Sequence, residues 1–236
     1  MDWERLRRAV RRRFSREEAA GLFLTLGFLV CATLALLFGL LADEVFEVSG
    51  ASALDRNATY WARRLPVPGG AASVRALTFL GDSTLVYPAT LLVGAILASR
   101  GRRVSALLFT ASVVGGGVLE VLLKLAYQRP RPDLLPRLVR ASSYSFPSGH
   151  ATLSTVFFGG LAAVVFHLTK RRAARTAAVA VAALIVAGVA LSRVYLGVHW
   201  LTDVTAGVLI GGFWVVVAAT ATEYAARRAA LRRPSS

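Results

Sequence analysis

The residues best suited to chemistry lie in one short segment of the chain, between two strongly apolar runs. Arg193, His199 and Asp203 fall there, where ionisable side chains are costly and need a reason to be present. If the chain is helical from Trp200 onward, His199 and Asp203 are one turn apart and share a face. The carboxylate can then accept a hydrogen bond from one imidazole nitrogen and leave the other free. A histidine held in this way is a candidate nucleophile or base.

A second group of residues is suited to binding a phosphate. Three cations are expected to converge on one site: Lys124, Arg131 and Arg193. Arginine binds phosphate oxygens in a fork, and lysine supplies a point charge. Ser148 and Gly149 stand at a predicted helix start, where backbone N–H groups add a favourable dipole, and His150 would face the same ligand.

The composition indicates a membrane protein. Hydrophobic residues make up 56% of the 236 residues, and the mean hydropathy is +0.57. A net charge of +15 would suggest nucleic-acid binding in a soluble protein. Here the arginines cluster at the ends of apolar segments, as they do when they set membrane orientation, so we expect a membrane partner and no nucleic acid. The single cysteine, Cys31, excludes an intrachain disulfide.

Six apolar segments are each close to the roughly 20 residues that a bilayer-crossing helix needs. They run from about Ala19 to Leu41, Val74 to Ala98, Val104 to Leu125, Thr152 to Leu168, Thr176 to Leu196 and Leu201 to Ala221. The expected fold class is therefore all-α, a polytopic bundle of six transmembrane helices. Residues 42–73 are expected to be a polar loop with an interfacial part at Trp61, because charged residues precede a Pro66 to Gly70 turn cluster that cannot continue a helix.

The chain is interpreted as one membrane domain, residues 19–225, between a basic cytoplasmic leader, residues 1–18, and a basic cytoplasmic tail, residues 226–236. Most Lys and Arg residues fall in the leader, the tail and the loops on their side of the membrane. The positive-inside rule then places both termini in the cytoplasm. The loops after the first, third and fifth helices, which carry the candidate phosphate site, are expected at the outer face.

Three blocks of this sequence resemble the type 2 phosphatidate phosphatase family, integral-membrane lipid phosphatases related to bacterial acid phosphatases and vanadium haloperoxidases. The blocks are Lys124 with Arg131-Pro132 after six residues; Pro147-Ser148-Gly149-His150; and Ser192-Arg193 with His199 after five residues and Asp203 after three more. All three match the family pattern in order and spacing, with no departure. They span residues 124–203, and the six-helix layout extends the resemblance to most of the chain outside the leader and residues 42–73.

The resemblance implies a role for each matched residue. His199 would attack phosphorus and form a phosphohistidine, Asp203 would orient it, and His150 would protonate the leaving oxygen and then activate water. The phosphoryl oxygens would be held by Lys124, Arg131, Ser148, the Gly149 amide and Arg193. Phosphoryl transfer depends mostly on positioning and charge compensation, which three cations and a backbone donor supply, so no metal and no cofactor are expected.

Other polar residues have less specific interpretations. His167 stands beside basic residues and is interpreted as structural. A metal site made of two histidines and Asp203 is disfavoured, because the spacing resembles no zinc motif and the arginines would repel a cation. Arg129 is predicted to lie at the rim of the site and face lipid headgroups.

Two carboxylates keep two interpretations each. Glu120 precedes Lys124 by one helical turn, so the pair is either a structural ion pair or a device that aims the lysine. Asp82, at the outer end of the second span, either lines the pocket entrance or only caps a helix. The glycine run 115–117 is interpreted as close helix packing in preference to a hinge.

The sequence therefore predicts a hydrolase of the cell membrane, a phosphatase acting on the monoester or diphosphate of a lipid at the extracytoplasmic face. From the family, the candidate lipids are a polyprenyl diphosphate such as undecaprenyl diphosphate, phosphatidylglycerophosphate and phosphatidate. Two alternatives stay open. One is a lipid phosphotransferase, in which a second hydroxyl resolves the phosphohistidine. The other is a non-enzymatic binder or transporter of lipid phosphates, which would need the cations but not the histidines.

Overall fold

The structure is a computed structural model that describes residues 16–47 and 51–231, with side chains described for residues 21–45 and 51–227. Within these residues the chain is helical and has no strand, which confirms the all-α fold class. The helices are α1 (Arg16–Glu47), α2 (Ala53–Arg64), α3 (Gly70–Thr78), α4 (Ser83–Ser99), α5 (Arg103–Tyr127), α6 (Gly149–Leu168), α7 (Arg172–Tyr195) and α8 (Leu201–Leu231), with a 3₁₀ turn at Phe79–Gly81. Most of the predicted leader and the end of the predicted tail lie outside the described residues, and the predicted tail starts within α8.

The membrane spans are close to the predicted ones, with one difference. In the described part of the chain, α1, α5, α6, α7 and α8 are each long and apolar enough to cross a membrane. A sixth span exists if Gly70–Gly81 and Ser83–Ser99 count as one, although they meet at an angle of 41°. The second span, predicted as continuous, is therefore broken. At the break, Asp82 has extended backbone and its carboxylate accepts from the Thr84 N–H, which starts a new helix instead of extending the old one.

The prediction that residues 42–73 form a polar loop is wrong. Helix α1 continues to Glu47, and α2 and the start of α3 occupy much of the rest. Helix α2 begins because Ser52 caps it: its hydroxyl accepts from the Asp55 N–H at 3.2 Å. The predicted turn does separate α2 from α3, and Gly69 there has a φ of +74°, which suits glycine.

Helix α6 lies at the centre of the bundle and packs against α5, α7 and α8, while α1 packs along α8. The main apolar cluster joins α4, α5 and α6 through Val86, Phe109, Val113, Val156 and Phe157. Glycines allow close approach: a Cβ atom added at Gly115 would lie 3.0 Å from Trp214, and one at Gly116 would lie 3.0 Å from Val156. This geometry supports the packing interpretation of the glycine run.

The three sequence blocks are brought to one end of the bundle. Consecutive long helices run in opposite directions, so the ends of α5 and α7 meet the starts of α6 and α8 there. Residues 128–148 connect α5 to α6 across this end: Ser145 N–H donates to the Arg129 carbonyl at 2.9 Å, and Leu138 N–H donates to the Leu196 carbonyl at 3.0 Å. These hydrogen bonds hold residues 128–148 against the helix ends that carry the candidate site.

Candidate active site

The two ring nitrogens of His199 have different surroundings. His199 lies in the turn between α7 and α8 and is only 2% exposed. Its Nδ1 lies 3.4 Å from Asp203 Oδ2, and its Nε2 lies 3.1 Å from a terminal nitrogen of Arg131. Since arginine can only donate, Nε2 must be the nitrogen with the free lone pair, and the proton stays on Nδ1 facing the carboxylate. The tautomer is the one that a nucleophile acting through Nε2 needs.

Burial keeps the His199 imidazole neutral. Burial is the main cause that lowers the pKa of His199 well below 6.5, and Arg131, Arg193 and Lys124 lower it further. A neutral ring at neutral pH retains the lone pair on Nε2. The same cations that suit a phosphate therefore also keep the histidine in its attacking form.

Each of the three predicted cations is held by a partner. Arg131 donates to the Val198 carbonyl at 2.7 Å and to the Ser143 carbonyl at 2.6 Å, and burial lowers its pKa. Arg193 is buried and donates to the Thr78 hydroxyl at 3.1 Å. Lys124 Nζ lies 2.5 Å from Glu120 Oε1. The chain thus holds these charges at the site before any ligand arrives, which favours strong electrostatic stabilisation.

The buried polar atoms without a hydrogen-bond partner in the described part of the chain include Ser148 Oγ and Arg193 Nε. Such atoms are rare in folded proteins and indicate a missing ligand or strain. Both belong to the set of residues predicted to hold phosphoryl oxygens. Their unused hydrogen-bonding capacity suits an anion in this pocket.

The start of α6 is packed so closely that only small residues fit. A Cβ atom at Gly149 would lie 2.7 Å from Glu120 Oε1, and one at Gly207 would lie 2.6 Å from the Ser148 carbonyl oxygen. Ser148 N–H donates to the Asp203 carbonyl at 3.0 Å, which ties the start of α6 to α8. The block Ser148-Gly149-His150 therefore presents a helix N-terminus, whose dipole favours an anion.

Asp82 fills both of the roles considered for it. Its Oδ1 accepts from the Thr84 N–H at 2.9 Å and so caps α4. Its Oδ2 lies 3.5 Å from His150 Nε2, so it also faces the site. At this position the carboxylate can stabilise the ring while the ring carries the proton that a leaving group takes.

Arg129 is not at the rim, and that prediction is wrong. Its side chain is 5% exposed, and it donates to Asp203 Oδ1 at 2.6 Å, to Asp55 Oδ2 at 2.7 Å and to the Thr202 hydroxyl at 2.7 Å. Two buried carboxylates make the burial of a guanidinium tolerable, and the sequence did not indicate that either of them lies beside Arg129. Arg129 is therefore the partner that holds Asp203 from the side opposite His199.

Asp55 is the residue that sequence reasoning missed. It is fully buried, and its Oδ1 accepts from the Thr202 N–H at 2.9 Å. It lies in a segment that is rich in charged residues, and for this reason the segment was predicted to be a loop. The signal that could have found it is Ser52, three residues earlier, because a capping hydroxyl predicts that Asp55 lies in the first turn of a helix.

Of the other polar residues considered in the sequence, Glu120 lies at this site and His167 lies far from it. Glu120 pairs with Lys124 and also lies close to Gly149, which is compatible with either interpretation given to it. His167 lies at the other end of α6, 3.5 Å from Glu223, which supports its structural interpretation. Among the residues that the structure describes, no three His, Cys, Asp or Glu side chains cluster as metal ligands do.

Comparison with known proteins identifies close relatives. The family model described as the PAP2 superfamily matches residues 105–227. Phosphatidylglycerophosphatase B of Bacillus subtilis is 35% identical over 136 residues, which cover 57% of this chain and 66% of that protein. Decaprenylphosphoryl-5-phosphoribose phosphatase of Mycobacterium tuberculosis is 33% identical over 147 residues, which cover 61% of this chain and 76% of that protein.

The fold also matches a solved structure, the crystal structure of a transmembrane PAP2-type phosphatidylglycerolphosphate phosphatase from Bacillus subtilis. The TM-score is 0.72 at 28% identity, over 87% of this chain and 98% of that one. Asp55, Thr78 and Asp82 all lie before residue 105, where the family match begins. The site thus takes contacts from a part of the chain that the family model does not include.

Proposed function

The chain belongs to the PAP2 superfamily of membrane phosphatases, and from that premise we propose that it hydrolyses the phosphate monoester or diphosphate of a lipid through a phosphohistidine on His199. One observation carries the proposal. The lone pair of a buried, neutral histidine points at Arg131, in a pocket where Ser148 Oγ and Arg193 Nε are unpartnered. A phosphoryl group in this pocket would accept from those donors and lie within reach of Nε2.

In the first step, the Nε2 lone pair of His199 forms a bond to phosphorus while the bond from phosphorus to the lipid oxygen breaks. The leaving oxygen keeps the electron pair of that bond and takes a proton from His150. Arg131 turns from Nε2 to the phosphoryl oxygens as these move into the pocket. Asp203 stabilises the positive charge that develops on the His199 ring.

In the second step, His150 is neutral and takes a proton from a water molecule as that water attacks phosphorus. The nitrogen–phosphorus bond breaks, its electron pair returns to Nε2, and inorganic phosphate leaves. The negative charge on the three phosphoryl oxygens is compensated in both steps by Lys124, Arg131 and Arg193. This compensation is the main requirement of phosphoryl transfer, and the chain's own cations meet it.

The substrate class proposed is a lipid phosphate, with a polyprenyl diphosphate such as undecaprenyl diphosphate, phosphatidylglycerophosphate and phosphatidate as candidates. The names of the two relatives support a lipid phosphate, one on a glycerolipid and one on a polyprenyl lipid. A lipid suits a site at the ends of membrane helices, because a headgroup can enter the pocket while its tails stay in the bilayer. The charge distribution of the loops supports a site on the extracytoplasmic face, with both termini in the cytoplasm.

The test is phosphate release by the detergent-purified protein from undecaprenyl diphosphate, phosphatidylglycerophosphate, phosphatidate and a soluble phosphate ester, all in EDTA. His199→Ala should release none while still binding lipid. His167→Ala is the matched control, because it removes a histidine from the other end of the bundle, and it should behave as the unchanged protein does. Release from the lipids that persists in His199→Ala would overturn the nucleophile assignment, and loss of release in EDTA would overturn the metal-free mechanism.

A further inference from the structure

The side chains of helix α2 form three sectors around the helix axis. With about 100° between successive residues, Asp55, Thr59 and Ala62 fall on one side. A second side carries Leu54, Trp61 and Leu65, the last of these at the helix end. The third side is polar and carries Arg56, Asn57, Tyr60 and Arg64. An amphipathic helix normally has two faces, so the additional apolar sector needs an explanation.

The first sector fixes α2 to the candidate active site. Asp55 and Thr59 are buried, and the helix packs against the end of α7 and the start of α8. Asp55 accepts from Arg129 and from Thr202, and Arg129 in turn holds Asp203. Arg63 adds bonds to the carbonyls of Tyr195 and Pro136. Helix α2 is therefore a rigid part of the site end of the bundle.

The second sector is exposed although it is apolar. Leu54 is 60% exposed, Trp61 is 72% exposed and Leu65 is 55% exposed. These side chains adjoin the buried sector, and that sector contacts the ends of two membrane spans. The apolar sector therefore lies close to the ends of two membrane spans, at the depth where those spans leave the bilayer.

The chemistry of α2 matches a membrane surface. Tryptophan is enriched at the interface between acyl chains and headgroups, and an interfacial helix lays its apolar side at that boundary. Arg56 and Arg64 are exposed on the adjoining polar side, where they can meet anionic headgroups. A second protein copy fits less well, because three side chains are a small part of the roughly 800 Å² per partner that a stable interface buries.

We propose that α2 docks on the membrane surface at the site end of the bundle, with Leu54, Trp61 and Leu65 inserted at the acyl boundary. The occupant of the apolar sector is therefore lipid. Because Asp55 ties the same helix to Arg129, docking sets the height of the candidate active site above the acyl chains. A phosphate on a lipid headgroup is then presented at the level of the pocket. This last consequence rests on the proposed lipid phosphatase activity, whereas the docking itself does not.

Spin labels test the docking directly. In a Cys31→Ser background, single cysteines are introduced by Leu54→Cys, Trp61→Cys and Leu65→Cys, with Asn57→Cys as the matched exposed control on the same helix. Each protein carries a nitroxide in vesicles of phosphatidylglycerol and phosphatidylethanolamine. The measurement compares how often each nitroxide collides with oxygen, which concentrates in the bilayer, and with a nickel complex, which stays in water.

The three labels in the apolar sector should favour oxygen over nickel at least severalfold more than the label at position 57. Equal nickel accessibility at all four positions would overturn the proposal. Poor accessibility to both reagents in the apolar sector would also overturn it, in favour of a second protein copy covering α2.

Kinetics test the consequence for the site. Leu54→Gln and Trp61→Gln should each raise KM for a vesicle-borne lipid phosphate about three- to tenfold, while kcat falls less than twofold. Asn57→Gln should change neither. Unchanged KM in both apolar-sector variants would overturn the presentation role. If the unaltered protein released no phosphate at all, the proposed function would fail, and the spin labels would still decide whether α2 docks.

Discussion

At the residue scale, each side chain that is proposed to react lies against a second side chain that can orient it. His199 is placed between Asp203 and Arg131, His150 faces Asp82, and Lys124 is paired with Glu120. In each pair, the side chain that is proposed to react lies against a carboxylate. Three of these partners, Asp203, Asp82 and Glu120, are carboxylates that are not proposed to touch the substrate, whereas Arg131 is.

The Asp203 carboxylate is predicted to control the orientation of His199. Asp203→Asn should lower kcat by about 10²- to 10⁴-fold with little change in KM, because an amide can present its N–H to the ring and favour the wrong tautomer. The measurement is steady-state phosphate release from a lipid phosphate. An unchanged kcat would mean that the pair at 3.4 Å has no part in the reaction.

Asp82 is predicted to support the acid role of His150. Asp82→Asn should slow the first-turnover release of a lipid alcohol about 10- to 100-fold, because the leaving alkoxide needs a proton. The first-turnover release of p-nitrophenol from its phosphate should change less than threefold, since that leaving group needs none. Asparagine can still cap α4, because its amide oxygen can accept from the Thr84 N–H as Oδ1 of Asp82 does. Asp43→Asn, at an exposed position on α1, is the control, and equal losses on both substrates would exclude an acid-specific role.

The pH profile should reflect the lowered pKa of His199. Attack needs the neutral ring, so kcat/KM falls as pH drops through this pKa, and the acidic limb should lie below pH 6.5. Lys124→Met should move the limb to higher pH, because removal of a cation makes protonation easier. The substrate's own ionisation is measured separately in solution. A limb at or above pH 6.5 in the unaltered protein would contradict the prediction.

At the element scale, helix ends and one helix break position the site. The break at Phe79–Asp82 brings Thr78 to Arg193 and Asp82 to His150. Gly81 allows this approach, because a Cβ atom there would lie 2.7 Å from the His150 carbonyl oxygen. A continuous second span would carry these side chains past the site instead of into it.

Helix α2 is predicted to be held to α8 mainly through Asp55. Asp55→Asn should lower stability by roughly 3–5 kcal/mol, because it leaves the buried Arg129 with an incomplete set of anionic partners. The measurement is the Tm of the purified protein in detergent, beside phosphate release. Asp43→Asn should leave Tm unchanged. A Tm of Asp55→Asn within 1 °C of the unaltered protein would show that the buried network does not stabilise the fold.

At the scale of the whole molecule, the two ends of the bundle carry different sets of polar residues. The site end carries the reacting residues, and the other end carries the Lys170 to Arg175 turn and the end of α8. The part of the chain before residue 105, where the family match begins, supplies Asp55, Thr78 and Asp82. Residues on both sides of position 105 therefore build the site.

The proposed orientation can be tested by labelling in intact cells. In the Cys31→Ser background, Ser142→Cys places a thiol in the loop at the site end, and Arg171→Cys places one in the turn at the other end. A membrane-impermeant maleimide should label position 142 from outside and should label position 171 only after the membrane is broken. The reverse pattern would place the site in the cytoplasm and contradict the positive-inside assignment.

The sequence by itself determined the fold class and the approximate spans, and it supplied the set of residues that are proposed to react. Apolar length and charge clustering are local properties, so the long apolar helices could be recognised without any tertiary contact, although the break in the second span could not. The three blocks carry Lys124, His150 and His199 at spacings that are also local. These features could be predicted from the sequence because each depends only on residues that are close together in the chain.

Only the tertiary structure decided which side chains aim the reacting groups. Asp55 lies 74 positions before Arg129 and 147 before Thr202, yet it bonds to both, and nothing in its local sequence indicates burial. Arg129 could not be told from a rim arginine until two carboxylates were found around it. Asp82 faces His150 only because the second span breaks there. A buried charge is tolerated only when its partners converge in space, and that convergence is a property of packing, not of sequence spacing.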